Sequence, residues 1–169
     1  VRITGACTLS VASFDAGNRV SAVSKLVFHQ AKPSPAVNGD FQPGLRVREY
    51  GARLEKMPDF AALLPRSEFT LPSPTLAYSG NPDEYVARVY EGVIRVDATA
   101  VYRVELTCDD GGKLWLDGRV AVDHDGLHGA SGKSSTVALE KGWHPIRVEW
   151  FNASGAAALV VRLGPVGKP

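Results

Sequence analysis

An all-β fold is what this sequence predicts, and three observations carry the prediction. From Tyr85 onward, short apolar-rich segments follow one another at close spacing, with Gly, Asp, Asn or Ser between them. Inside them apolar and polar residues alternate, as in "VYRVELTC", where Tyr102, Val104, Leu106 and Cys108 share one phase. "LWLDGRVAV" sets Asp117-Gly118 between two strand-like runs, a pair that tolerates the positive φ angles of a two-residue hairpin turn. Many short strands joined by turns make a sandwich or a barrel.

In order along the chain, "CTLSVASF" sets Cys7, Leu9 and Val11 against Thr8 and Ser10. "DAGNR" supplies a turn, and "VSAVSKLVFH" resumes the strand pattern, so this region reads as a hairpin. "QAKPSPAVNGDFQPG" loses all periodicity and marks a boundary. The organisation expected is an N-terminal β-segment over 1–30, a linker over 31–43, a main domain over 44–165 and a tail over 166–169. "GLRVREYG" opens the main domain. "EKMPDFAALLP" allows one short helical turn, since Pro58 can sit early in a helix and Pro65 ends it. "LPSPTLAYSGNPDE" reads as loop. The strands that follow are "EYVARVYEGVIRVD", "AVYRVELTC", "KLWLDGRVAVD", "SSTVALEKG", "HPIRVEWF" and "AALVVRLG". A lone hairpin is marginal in water. Residues 1–30 are therefore expected to pack on the main domain and to be the stub of another one.

Composition narrows the function. With 169 residues and 44% hydrophobic content the chain suits one ordinary domain, or one plus a fragment. No apolar stretch approaches the roughly 20 residues of a spanning helix, so no membrane insertion is expected. A net charge of +1 with interspersed signs gives no footprint for nucleic acid. The chain opens on Val1 and is expected to be a piece of a longer protein whose export signal is out of view. Cys7 and Cys108 match no zinc spacing, and the phase of Cys108 makes it a buried, inert thiol.

The densest run of chemistry is "CDDGGKLWLDGRVAVDHDGLHG". Asp117 reads as a turn residue, while Asp123, His124 and Asp125 read either as solvated loop or as a ligand and loop-pinning set. Asp109-Asp110 differs, because neighbours on a regular strand point to opposite faces. They can grip one ion only if the backbone turns sharply. Gly111-Gly112 supply the freedom for that, and a non-proline cis peptide would join the pair most directly. Calcium, which takes six to eight oxygens, would hold the like charges together. Adjacent acids do not straddle a sugar bond as glycosidase carboxyls do, and no serine sits in a strand-to-helix elbow, so catalysis within this chain is disfavoured. His124 and His128 read as polar loop residues without zinc-like partner spacing; His144 reads as a packing or turn residue, and His29 shows no partner. Trp150 shares the phase of Ile146 and Val148 and belongs to the core. Trp143, beside Gly142, is the tryptophan freest to stack on a sugar.

"GLRVREYGARLEKMPDFAALLP", "YVARVYEGVIRVDATAVYRVELTCDDGGKLWLDGRVAVDHDGLHG" and "LEKGWHPIRVEWFNASGAAALVVRL" resemble the protective-antigen (PA14) domain, in the version associated with bacterial glycoside hydrolases. The resemblance implies a β-sandwich or barrel that serves as a sugar-binding module. It implies that an Asp-Asp pair with a cis peptide, matching Asp109 and Asp110, holds calcium, which takes vicinal sugar hydroxyls. A later-loop asparagine is matched by Asn152. "CTLSVASFDAGNRVSAVSKLVFH" resembles the last strands of the immunoglobulin-like domain that ends chitobiase-type β-N-acetylhexosaminidases.

The expectation is thus a non-catalytic, calcium-assisted carbohydrate-binding module of an exported glycoside hydrolase, periplasmic or at the cell surface. Its partners would be a glycan or polysaccharide and the catalytic domain of the parent chain. Asp109, Asp110 and Asn152 are the expected metal ligands; Asp123, Asp125, His128 and Trp143 join the pair as the glycan rim. The alternative is a structural module that buttresses or dimerises the parent enzyme, with the Asp pair only pinning a loop.

Overall fold

The alternation read in residues 85–165 becomes antiparallel sheet. A computed structural model describes residues 3, 5–51, 53–72, 76–80 and 85–167. They fall into two units, residues 1–32 and 33–169. In the first, β1 (Cys7–Val11) pairs with β4 (Ser24–Phe28), and between them β2 (Phe14–Asp15) pairs with β3 (Asn18–Arg19). The hairpin is there, but Phe14, Val20, Leu26 and Val27 are exposed.

The second unit holds β5 (Leu45–Gly51), a 3-10 turn (Phe60–Ala62), β6 (Ser67–Leu71), β7 (Ala77–Gly80), β8 (Val86–Val96) and β9 (Ala100–Asp109). It continues with β10 (Gly112–Leu116), β11 (Arg119–His124), β12 (Ser131–Leu139), β13 (Gly142–Asn152) and β14 (Ala157–Pro165). A six-stranded sheet runs β11-β10-β13-β8-β5-β6, and a four-stranded sheet runs β12-β9-β14-β7. Two sequence expectations are corrected. Residues 77–80, read as loop, pair with β14 as a strand, and β6, not read at all, covers the edge of the large sheet. Its residues are largely exposed, so the inward-outward alternation that betrays a core strand is missing.

Between the sheets, Val47, Tyr90, Leu114, Val148 and Trp150 of the large sheet pack with Val104, Leu106, Cys108 and Leu159 of the small one. Each large apolar side chain so removed from water contributes about 1.5–3 kcal/mol. The predicted phase of β9 holds at all four positions, Tyr102 to Cys108. A second cluster forms from the opposite phase, with Phe151, Val89 and Tyr50 packing against Phe60, Leu54 and Met57. The 3-10 turn is capped by Asp59, whose carboxylate accepts from the Ala61 N–H at 3.0 Å. Asp117 and Gly118 both have positive φ, 51° and 72°, and Leu116 pairs with Arg119, the primed hairpin turn expected. The segment before β5 also bonds along this unit: Ser34 to the backbone of Ala138 and Glu140, Val37 to Trp143.

Candidate functional site

β9 must reverse into β10 within two residues, and the side chains at that reversal are Asp109 and Asp110. The peptide joining them is cis. The turn is stapled to β13 by three bonds: the Asp110 N–H donates to the Phe151 carbonyl (3.0 Å), the Phe151 N–H to the Gly111 carbonyl (3.0 Å), and Trp150 Nε1–H to the Asp109 carbonyl (2.9 Å). Trp150, read as core, is core with a polar edge that holds the site's backbone.

Gly111 and Gly112 do something other than expected. Neither is among the positive-φ glycines. Instead a Cβ on Gly111 would overlap the Phe151 ring and approach the backbone of Gly126 to 3.0 Å, and one on Gly112 would meet Cys108 Sγ at 2.9 Å. Both glycines are needed for space, Gly111 because the loop after β11 lies over the turn and Gly112 because Cys108 and Leu106 of β9 pack against it.

Asp110 is buried, and its oxygens are both engaged: Oδ1 accepts from the His128 N–H at 3.1 Å, Oδ2 from the Ala153 N–H at 2.8 Å. Asp109 accepts from the Ala130 N–H, so both acids hold the same loop. Burial, then the neighbouring Asp110 charge, raises the Asp109 pKa above the ordinary aspartate value; the Ala130 bond and His128 oppose this. The like charge of Asp110 beside it disfavours the ionised form of Asp109, and a cation would relieve that repulsion.

Asn152 supplies the observation that fits such a cation. It lies between Phe151 and Ala153, the two residues whose backbone holds Asp110. It is 1% exposed, and neither its Oδ1 nor its Nδ2 has a hydrogen-bond partner among the described residues. A buried amide left unpaired costs about 1–3 kcal/mol. Two carboxylates and an unpaired amide oxygen are hard oxygen donors, the chemistry that calcium takes.

The other expected rim residues divide. The backbone of the loop carrying His128 reaches the pair, and its ring stacks on His124 at 4.0 Å between centroids. Asp123 points toward β10, in an ion pair with Lys113 at 2.9 Å. Asp125 pins a neighbouring segment, accepting from the N–H groups of Met57 (2.7 Å) and Gly126 (2.8 Å). Trp143 is not brought here at all. It is nine residues from Asn152 along β13, roughly 30 Å at strand rise, and packs against Phe41. Leu127 is the exposed apolar side chain of the covering loop, 55% accessible. Leu127 and the backbone donors of Ala130 and Ala153 were missed by sequence reasoning. Backbone N–H groups carry no residue signature; only the Gly126 and Gly129 pair hinted that the chain folds back there.

His144, read as a packing or turn residue, is fully buried, its Nδ1 3.0 Å from Asp117 and its Nε2 2.8 Å from the Glu140 carbonyl. Cys7 and Cys108 are both free thiols, exposed and buried respectively. Burial, then the Asp109, Asp110 and Asp125 charges, pushes the Cys108 pKa up to about 12.

Comparison with known proteins follows the fold. The PA14 domain family profile matches residues 41–168. The PA14 domain of the MpAFP antifreeze protein superposes with a TM-score of 0.64 at 18% identity, over 80% of this chain and 89% of that one. The PA14 sugar-binding domain of an RTX adhesin gives 0.61 at 17%, over 76% and 93%. The Epithelial Adhesin 9 A domain of Candida glabrata, in complex with Galβ1-3GlcNAc, gives 0.64 at 12%, over 83% and 91%. At these identities the likeness is one of fold. No curated protein matches the chain.

Proposed function

Since the chain belongs to the PA14 domain family, a family of non-catalytic modules, we propose that it binds carbohydrate through a calcium ion held by Asp109, Asp110 and Asn152. The observation that carries this reading is the buried Asn152 amide with no partner among the described residues, next to the backbone that fixes Asp110. Bound calcium supplies coordination positions that vicinal sugar hydroxyls can fill. The chain's own contribution is to hold the donors still: two backbone N–H groups fix Asp110, Trp150 fixes the Asp109 carbonyl, and Gly111 lets the 126–130 loop lie close over the turn. Leu127 then offers an apolar contact at the rim.

The parent is proposed to be an exported glycoside hydrolase, for which such a module raises the effective concentration of substrate near the catalytic domain. A β-glucosidase of Kluyveromyces marxianus contains a domain of this fold, which makes up 16% of that chain. Assigning residues 1–30 to the end of a hexosaminidase's immunoglobulin-like domain rests on sequence resemblance alone. One observation favours the structural alternative: both Asp110 oxygens already accept backbone N–H groups from two loops, a loop-pinning arrangement.

Calorimetric titration separates the two. On the binding reading, calcium binds with a stoichiometry of one, galactose- or N-acetylglucosamine-containing glycans bind only in its presence, and Asp109→Asn abolishes both. Absence of calcium and glycan heat, with Asp110→Asn lowering stability alone, would leave the loop-pinning role.

A further inference from the structure

We infer that Cys108, His124 and His128 form a second metal site, for a borderline divalent ion of the zinc class, beneath the same loop that covers the Asp pair. The three come from separate places: the last inward position of β9, the end of β11 and the loop after it. Their ligand atoms lie within 4.8 Å of one another. The set is one thiol and two imidazoles, donors that suit zinc and not calcium.

The hydrogen bonds of the two rings support ligation. A neutral imidazole carries one N–H and one lone pair, and metal-bound histidines usually give the N–H to an oxygen behind them. The Gly129 carbonyl lies 3.0 Å from His128 Nδ1, and Ser131 Oγ lies 2.9 Å from His124 Nε2. With those protons placed, His128 Nε2 and His124 Nδ1 carry the lone pairs. His128 Nε2 then faces the His124 carbonyl at 3.2 Å, and the same carbonyl sits 3.9 Å from Cys108 Sγ. Ser131 Oγ also lies 3.3 Å from His128 Nδ1 and can donate there in the other tautomer, so a bound metal would select the tautomer that leaves Nε2 free. A tetrahedral zinc site needs donors about 3.4–3.6 Å apart, so side-chain rotation of roughly 1 Å closes it. Three protein donors leave a fourth position for water. Zinc here would clamp the 124–131 loop, whose His128 N–H holds Asp110. The inference stands whether or not the Asp pair binds calcium.

Cobalt(II) tests it, on the full chain with Cys7→Ser to remove the exposed thiol and with excess calcium to occupy the carboxylates. The expected result is one equivalent of cobalt with an intense near-ultraviolet thiolate-to-cobalt band and tetrahedral visible bands, both displaced by zinc. Cys108→Ser should remove the band. His128→Gln and Ser131→Ala, which leave the thiol in place, should weaken cobalt binding about tenfold or more. Circular dichroism checks that each variant is folded. Absence of the thiolate band, or unchanged affinity in folded His128→Gln, overturns the site; calcium and glycan titrations report on the Asp pair separately.

Discussion

Asn152 places a side-chain amide inside the protein with neither polar atom paired among the described residues. Leucine has nearly the same shape and no polar atom to desolvate. Asn152→Leu is therefore expected to raise calcium-free stability by about 1–3 kcal/mol and to erase any calcium-dependent rise, both readable in thermal melts with and without chelator. A variant that is less stable and still responds to calcium would remove Asn152 from the ligand set. At the same scale, Asp109→Asn removes one of the two repelling charges, so calcium-free stability should hold or rise while calcium affinity falls.

The turn between β9 and β10 works because Gly111 yields its space to Phe151 and Gly126. Gly111→Ala is expected to cost about 1–3 kcal/mol in denaturant unfolding and to loosen the 126–130 loop, seen as faster amide exchange at His128. β5 offers a test by pH. Glu49 is partly desolvated, which raises its pKa, yet Arg88 (2.7 Å) and Arg66 (2.9 Å) outweigh this and hold it below the ordinary glutamate value. A lowered folded pKa contributes stability above the unfolded value and loses it as pH falls through the folded one. The stability gap between wild type and Glu49→Gln should therefore shrink on acidification, and a gap constant with pH would mean the arginines do not engage Glu49. Individual elements also mark where sequence was readable. Asp109-Asp110 was legible because two adjacent acids followed by two glycines break the rhythm of a strand. The role of Gly111 was not, since close approach by a loop from fifteen residues on leaves no local trace. Trp143 was placed at the rim from its turn neighbours, but it sits at the far end of β13 against Phe41. The Cys108, His124 and His128 grouping escaped because zinc spacing was sought along the chain, whereas the packing of β9 in the small sheet against β11 in the large one brings it together in space.

Across the whole molecule, the all-β class followed from short apolar-rich segments between turn residues, with period-two alternation clearest in β9 and β10, where the two faces differ in burial. β6 and β7 were not legible: β6 is an exposed edge, and β7 sits in a Pro- and Gly-rich stretch. The PA14 fold places every proposed ligand at one end of the sandwich, where β9, β13 and the loop after β11 meet. A ligand taken only by the folded state raises stability by about 2.7 kcal/mol at a hundred times its dissociation constant, or about 5–10 °C in midpoint for a chain of this size. The most direct measurement is thermal unfolding of the full chain in chelator, in saturating calcium, and in calcium with galactose- or N-acetylglucosamine-containing glycans. The midpoint should rise with calcium, rise again with a glycan, and do neither in Asp109→Asn; identical midpoints in all three solutions would contradict a calcium-borne sugar site.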